Sequence, residues 1–275
     1  MRTIDHEPFH LDEHMDRLYR SLKAVGFPTR PERSELVEAI QHVVRHNARN
    51  VRPEDDLGIV VFVTAGQNLT YLGASRRERA DAGTVCVHTF RLPFELWAEK
   101  LIRGQHLVTP PVRQMPADCV DPKIKCRSRM HYYLADRAAR RVDPHASALL
   151  LSLDGTVTEC STANFCIVSG NRVITAPERL CLGGVSLGVI EELCPPLGLS
   201  FERRAFTAYD VLQADEAFTT STPYCMLPVT RFNGEPIGDG EPGPVFAKLF
   251  AAWGRLVNYD LEGQLRAAAS RAADA

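Results

Sequence analysis

The first fifty residues show the alternation of apolar and polar positions that is typical of α-helices. Within residues 9–26 apolar side chains recur every three or four positions, and Gly26 ends the pattern. Residues 32–47 repeat it. The apolar positions of the two segments are Leu11, Met15, Leu18, Leu22, Val25, Leu36, Ile40, Val43 and Val44. The pattern therefore predicts two amphipathic helices.

Short apolar runs without helical spacing predict strands further along the chain. Asp154-Gly155 lies between two such runs and is a strong hairpin signal. Predicted strands lie at residues 59–63, 84–90, 148–153, 156–159, 163–168, 171–175 and 216–228. Further helices are predicted at residues 129–139, 185–194 and 244–256. The Ala- and Arg-rich residues after this last helix are expected to be partly disordered.

Prolines are concentrated between residues 108 and 122. Proline disfavours helix interiors and sheet ladders, so this segment is predicted to be an extended interdomain linker. The predicted organisation is a small N-terminal domain at residues 1–107, a linker at 108–122 and a larger domain at 123–275. Because helices and strands are mixed in both parts, the predicted fold class is α+β, that is, mixed α/β.

Composition and charge narrow the range of functions. The chain has 275 residues, 45% of them hydrophobic, which is enough for one large core or two smaller ones. The formal net charge of −2 leaves no basic footprint, so no nucleic-acid partner is expected. The apolar runs have strand length, and no apolar leader follows Met1, so we expect a cytoplasmic protein with no membrane partner.

Eight cysteines are spread along the chain, and no two form a C-x-x-C pair. This spacing predicts neither a metal site nor a disulfide framework. Most of the thiols are expected to be buried as small apolar side chains.

Lysine is scarce, which draws attention to the segment Asp121-Pro-Lys-Ile-Lys125. Only five of the 32 basic residues are lysine, and two of them, Lys123 and Lys125, lie here. In an extended segment these two side chains share a face. Arg127 and Arg129 supply the positive field that lowers the pKa of an amine and makes it nucleophilic. A pair of solvated surface lysines is the alternative.

Glu159 and two clusters of small residues offer further candidate chemistry. Glu159 lies in an otherwise apolar and small stretch; if buried it needs a cationic partner, and the alternative is an exposed strand residue. Gly183-Gly184-Val185-Ser186 opens a predicted helix whose free N–H groups can bind phosphate. Ser221 and Thr222 offer further hydroxyl groups, or a turn that caps itself.

The order of these segments resembles that of the class IV aminotransferases over residues 9–256. The family comprises branched-chain and D-amino acid aminotransferases and aminodeoxychorismate lyases, pyridoxal phosphate enzymes of fold type IV. The matching motifs are Phe9-His-Leu-Asp-Glu-His-Met-Asp-Arg-Leu18, Ile124-Lys125 followed by Leu134-Ala135, Ala148-Leu-Leu-Leu-Ser-Leu-Asp-Gly-Thr-Val-Thr-Glu-Cys-Ser-Thr-Ala-Asn-Phe165, Leu182-Gly-Gly-Val-Ser186, and Ala214-Asp-Glu-Ala-Phe-Thr-Thr-Ser-Thr222 with Pro228-Val229.

This resemblance implies pyridoxal 5'-phosphate as the cofactor. Lys125 would be the catalytic residue, joined to the cofactor as a Schiff base, and Glu159 would pair with the pyridine nitrogen. The phosphate would be held by Arg17, Gly184, Val185, Ser186, Ser221 and Thr222. The resemblance further implies a homodimer whose subunits have a small N-terminal domain and a larger, β-barrel-like C-terminal domain with flanking helices.

Departures from the family pattern bear on the substrate. Ala65 stands where D-amino acid aminotransferases have an arginine followed by a histidine for the substrate carboxylate. Met130 stands where branched-chain enzymes usually have a tyrosine. Arg127 and Arg129 predict an unusual site for the substrate carboxylate, or else are a solvated pair. The chain start resembles the interior of a strand, so we expect the first strands of the small domain to be missing, through truncation or a start assigned late.

The predicted function is amino-group transfer from a branched-chain or related L-amino acid to a 2-oxo acid such as 2-oxoglutarate. Alternatives within the same fold are a lyase of the aminodeoxychorismate type and a D-amino acid aminotransferase. Two further alternatives are a catalytically impaired protein that binds pyridoxal phosphate without turnover and an unrelated binder of a phosphate ligand.

Overall fold

The computed structural model describes residues 1–27, 29–66 and 83–273, which divide into two compact units, Met1–Leu92 and Pro93–Ala275. The first unit contains β1 (Thr3–Ile4), β2 (Glu7–Pro8), α1 (Leu11–Val25), α2 (Arg33–Ala48), β3 (Leu57–Val63) and β4 (Val85–Arg91). Strands β3 and β4 pair antiparallel, as do β1 and β2.

The helical periodicity of the first fifty residues produces helices α1 and α2. Helix α1 ends where Gly26 adopts a left-handed conformation, with φ of 69°, and its N–H donates to Leu22 O. The apolar faces of the two helices and strand β3 together form the core of this unit. Its buried members are Met15, Leu36, Ile40, Val44 and Ile59.

The second unit is built on a large mixed sheet. Its elements are α3 (Phe94–Arg103), β5 (Gln105–Val108), α4 (Met130–Val142), β6 (Ser147–Leu151), β7 (Val157–Cys160), β8 (Asn164–Ser169), β9 (Arg172–Thr175), α5 (Val185–Leu193), β10 (Ser200–Arg203), α6 (Ala208–Leu212), β11 (Glu216–Ser221), β12 (Cys225–Phe232), β13 (Glu235–Pro236), α7 (Pro244–Leu256) and α8 (Leu261–Ala273).

Nine strands form this sheet, in the order β10-β9-β8-β11-β12-β5-β6-β7, with β13 paired to β12. The pairs β9–β10, β5–β12 and β5–β6 are parallel, and the other pairs are antiparallel. Strands β7 and β8 are buried almost throughout, as expected for runs with few exposed polar positions. The sheet curls into a half-barrel, and the predicted mixed fold class is confirmed.

The division between the compact units falls earlier in the chain than the proline-rich segment. Strand β5 precedes that segment, yet it pairs with β12 and β6 of the large sheet. Helix α3, which the sequence analysis did not predict, packs against α8 and β12 of the same unit. These pairings explain why residues from Pro93 onwards belong to the second unit.

Two predictions about the C-terminal part are wrong. Residues 216–228 form a hairpin rather than one strand, because Pro223 lies in the turn and Ser221 pairs with Cys225 across it. Residues 261–273 form helix α8 instead of being disordered, since buried Leu261 and Leu265 give it an apolar face. Within the ranges that the structure describes, no helix combines the length and apolar character that a membrane crossing requires.

Candidate active site

Glu159 is a buried carboxylate on β7, and only 6% of its surface is exposed. Hydrogen-bond donors reach both of its oxygens. Oε1 accepts from the Tyr132 hydroxyl at 2.6 Å, and Oε2 accepts from the Leu182 backbone N–H at 3.0 Å. The Asn164 amide nitrogen lies 3.5 Å from Oε2. Glu159 is therefore the buried acid of the two alternatives and not an exposed strand residue.

Gln114 completes the surroundings of this carboxylate. It lies between β5 and α4, where its backbone N–H donates to Leu151 O at 2.9 Å. Its side-chain Nε2 donates to Tyr132 Oη at 2.8 Å and lies 3.2 Å from Glu159 Oε1. The proline-rich segment thus does more than connect elements, because it supplies a donor to the buried acid.

Burial raises the pKa of Glu159. The hydrogen bonds from Tyr132 and Leu182 and the positive charges of Lys125 and Arg129 act in the opposite direction, but burial is the larger effect. An ionised carboxylate in these surroundings is stabilised by every cation that reaches it. The site is therefore suited to a positively charged group on the ligand.

Lys125 lies in a turn and not in the extended segment that the sequence predicted. The Ile124 N–H donates to Asp121 O at 3.0 Å, and the Lys123 N–H donates to Asp121 Oδ1 at 2.9 Å. The Asp-Pro pair that opens the segment favours such a turn. The Lys125 side chain is exposed in this chain, and its charge still lowers the pKa of Glu159. The structure therefore brings this amine within electrostatic range of the buried acid.

Arg127 and Arg129 have different surroundings. Arg127 is exposed, whereas Arg129 is half-buried and its guanidinium carbon lies 4.4 Å from the centroid of the Tyr132 ring. This is a cation–π contact, which fixes the arginine beside the site. The charge of Arg129 also lowers the pKa of Glu159. Of the two predicted carboxylate ligands, Arg129 is thus the one that the fold holds near the acid.

The start of helix α5 and the β11–β12 turn come together near this acid. The candidate phosphate ligands in these two segments are Gly184, Val185, Ser186, Ser221 and Thr222. The buried hydroxyls of Ser186 and Thr222 lie 3.1 Å apart. The Ser221 hydroxyl donates instead to Thr162 O at 2.8 Å. The N–H groups at the start of α5, together with the two neighbouring hydroxyls, form a set of donors that suits an anion.

Gly184 is expected not to tolerate a side chain. A Cβ at this position would lie 2.1 Å from Asn164 Oδ1, whereas a Cβ on Gly183 would meet nothing within 4 Å. The Asn164 amide cannot move away without cost, because it donates to Leu182 O at 2.8 Å. We expect Gly184→Ala to raise the dissociation constant of the expected cofactor about tenfold, or about 1.4 kcal/mol.

The matched control for this substitution is Gly183→Ala, which adds the same methyl group one residue earlier. Titration of each cofactor-free variant with pyridoxal 5'-phosphate, followed by protein fluorescence, compares the two dissociation constants. Equal constants for the two variants would contradict the close approach of Gly184 to Asn164.

Arg17 belongs to the first unit, on helix α1. Its Nη2 lies 3.2 Å from His14 Nδ1. Burial and, to a smaller extent, the charge of Arg20 lower the pKa of Arg17 to about 10. The guanidinium is still charged at neutral pH, as an anion ligand requires. Its role as a phosphate ligand stays a prediction.

Sequence reasoning missed Tyr132, Gln114 and Asn164. A signal for Tyr132 was present, because Tyr132 precedes the buried residues Ala135 and Ala139 at helical spacing, and a tyrosine hydroxyl on a buried face needs a partner. Asn164 lies inside the hairpin motif that identified Glu159. Gln114 had no signal of its own, since its partners come from distant parts of the chain.

Comparison with known proteins supports the same family. A family model described as amino-transferase class IV matches residues 1–232. A D-alanine aminotransferase of Bacillus licheniformis is 30% identical over 240 residues, which are 86% of this chain and 78% of that protein. Branched-chain-amino-acid aminotransferase-like protein 2 of Arabidopsis thaliana is 28% identical over 258 residues, 94% of this chain but 44% of that protein.

Solved structures give the same picture. The crystal structure of a branched-chain amino acid aminotransferase of T.th. with pyridoxamine 5'-phosphate has a TM-score of 0.79 and 26% sequence identity to this chain. The match covers 90% of this chain and 79% of that chain. The architecture is therefore shared over most of both proteins, which confirms the predicted fold class.

Proposed function

This chain belongs to the class IV aminotransferases, and on that premise we propose that it transfers an amino group from a branched-chain or related amino acid to a 2-oxo acid such as 2-oxoglutarate. As a member of this family it is a transferase enzyme, and class IV aminotransferases use pyridoxal 5'-phosphate. The proposal is carried by one observation, the buried Glu159 carboxylate within electrostatic range of Lys125.

The residues present suit this cofactor. Glu159 is an acid removed from water, and a protonated pyridine nitrogen is a fitting partner for it. The start of α5 and the hydroxyls of Ser186 and Thr222 suit a phosphate group. When bound, pyridoxal 5'-phosphate supplies an electron-withdrawing ring that stabilises negative charge on the substrate α-carbon.

Each group of residues then has a defined task. Lys125 holds the cofactor through its Nζ, and the same amine takes the proton from the substrate α-carbon as a general base and returns it as a general acid. Glu159 keeps a negative charge available for the ring nitrogen. Arg17 and the residues at the start of α5 bind the phosphate. In this proposal homodimeric assembly and a cytoplasmic location follow from the family resemblance alone.

Arg127 and Arg129 support a carboxylate site for the amino acid or 2-oxo acid. Guanidinium groups bind carboxylates in a bidentate manner, and Arg129 is held beside Glu159 by its contact with the Tyr132 ring. We assign Arg129 to the substrate carboxylate and Arg127 to a supporting charge. A substrate of this site therefore carries a carboxylate group, as amino acids and 2-oxo acids do.

A D-amino acid aminotransferase is the second candidate. The relative from Bacillus licheniformis, a D-alanine aminotransferase, favours it. Ala65 disfavours it, because the family's D-specific members have an arginine followed by a histidine there. Activity with L-leucine, L-isoleucine and L-valine, and none with D-alanine, would support the first candidate. Pyruvate release without any 2-oxo acid acceptor would support a lyase instead.

Borohydride reduction tests the proposed chemistry directly. The purified protein, loaded with pyridoxal 5'-phosphate, is reduced, digested and mapped by mass spectrometry. We expect a phosphopyridoxyl group on the peptide that contains Lys125, because an amine bonded to the cofactor is trapped by reduction. Label on Lys123 or Lys248 would assign the site elsewhere, and no label at all would remove the pyridoxal phosphate enzymes from consideration.

A further inference from the structure

Three polar atoms meet at one oxygen of Glu159. Tyr132 Oη lies 2.6 Å from Glu159 Oε1, and Gln114 Nε2 lies 2.8 Å from Tyr132 Oη and 3.2 Å from the same Oε1. The carboxylate oxygen accepts from both donors, and the tyrosine hydroxyl both accepts and donates. The arrangement assigns every hydrogen, so it favours the ionised carboxylate over the protonated acid.

His131 fixes the orientation of the Gln114 amide. Its Nε2 lies 3.1 Å from Gln114 Oε1, and since a carbonyl oxygen only accepts, the histidine donates there. The amide nitrogen of Gln114 is thereby directed to Tyr132 and Glu159. Burial and the charge of Arg129 lower the pKa of His131. The neutral ring with a proton on Nε2 is therefore the form that supports the network.

We propose that Tyr132 is a positioning residue for Glu159: its hydroxyl, aligned by Gln114 and His131, holds the carboxylate ionised and correctly oriented. The function of this arrangement rests on the proposed function, because the carboxylate it prepares is the one assigned to the pyridine nitrogen. A charge-assisted hydrogen bond of 2.6 Å is short enough to fix orientation as well as charge. Tyr132 thus acts on the reaction through Glu159.

The electrostatic surroundings of Glu159 leave this carboxyl group as the one that the hydroxyl controls. The titratable and charged groups that act on it, or on which it acts, are Tyr132, Lys125, Arg129, Cys160 and Cys181. Burial raises the pKa of both thiols, that of Cys181 to about 12, and burial also raises the pKa of Tyr132. These three groups therefore stay neutral in the range where a carboxyl group of raised pKa titrates.

Tyr132→Phe tests the proposal, with Tyr133→Phe as its matched control. The phenylalanine keeps the ring that Arg129 contacts and removes only the hydroxyl. Tyr133 is the adjacent residue of α4, and 62% of its surface is exposed. We expect Tyr132→Phe to raise the dissociation constant of pyridoxal 5'-phosphate at least about tenfold, and Tyr133→Phe to leave it within about twofold.

A second measurement uses the cofactor-free chain and needs no activity. Because the pKa of Glu159 is raised in the folded state, folding stability falls as pH rises from the unfolded pKa through the folded one. Loss of the Tyr132 hydroxyl raises that pKa further. The drop in urea midpoint between about pH 5 and about pH 8 should therefore be larger in Tyr132→Phe than in wild type. In a Glu159→Gln background, Tyr132→Phe should not change the drop.

The outcomes separate the two proposals. If Tyr132→Phe and Tyr133→Phe agree in both cofactor affinity and pH dependence, Tyr132 does not position Glu159. If wild type fails to bind pyridoxal 5'-phosphate, the proposed function fails, while the urea experiment still decides whether Tyr132 controls the carboxyl group. Should Tyr132→Phe not fold, Gln114→Met removes the other donor to the same oxygen, and the same shifts, smaller in size, are expected.

Discussion

Lys125→Ala is expected to lower kcat for transamination by at least about 10³-fold. The substitution removes both the amine that holds the cofactor and the group that moves the substrate proton, and general acid–base catalysis alone contributes about 10²- to 10⁴-fold. Because the side chain is exposed, the fold should be unaffected, and the unfolding midpoint should match that of wild type. Steady-state kinetics with an L-amino acid donor and 2-oxoglutarate, together with urea unfolding, measure both effects.

Lys123→Ala is the matched control for this result. Lys123 lies two residues earlier in the same turn and pairs with Asp121 on the surface, with 3.4 Å between Nζ and Oδ2. An exposed ion pair of this kind contributes little to stability, so kcat and the unfolding midpoint should both stay close to wild type. Equal loss of activity in the two variants would indicate that the turn, and not the Lys125 amine, is what matters.

Glu159→Gln is expected to lower kcat by about 10²- to 10³-fold and to weaken cofactor binding. The amide has the size of the carboxylate but no negative charge, so it cannot stabilise a proton on the ring nitrogen, and a loss of preorganised electrostatics has this magnitude. Glutamine can still accept the hydrogen bonds from Tyr132 and Leu182. The loss should therefore appear in catalysis and in cofactor affinity, without unfolding.

The same variant should be more stable than wild type at alkaline pH when both lack cofactor. In the folded chain the pKa of Glu159 lies above its unfolded value, so wild type loses stability as pH rises through that interval, and Glu159→Gln does not. Glu235→Gln, an exposed substitution on β13, is the control and should leave activity and pH dependence unchanged. A Glu159→Gln chain with wild-type activity would refute the assigned role of the acid.

Much of the fold follows from local patterns. Spacing alone predicts helices α1, α2, α4, α5 and α7, because their apolar faces are local and regular. It does not predict helix α8 or the β11–β12 hairpin, since an Ala- and Arg-rich helix acquires its apolar partner only from α3, and Pro223 interrupts a run that otherwise has strand character. The order of strands in the sheet depends on long-range pairing, which no local pattern encodes.

The candidate site divides in the same way. The hairpin motif identifies Glu159, yet whether that acid is buried depends on packing that the sequence does not display. Gln114 lies 45 residues before Glu159 in the chain and still reaches its carboxylate. The proline-rich segment around Gln114 is predicted to be a linker, because proline density indicates extended backbone but not what the intervening side chains contact. Such contacts become visible only in three dimensions.

The donors to Glu159 belong to three separate parts of the chain: the segment before α4, helix α4 itself and the loop before α5. An isolated peptide spanning the hairpin motif would therefore carry an ordinary carboxyl group with ordinary acidity. Chemical competence arises only when distant segments have docked, so local opening of any one of them would silence the enzyme while most of its secondary structure persisted.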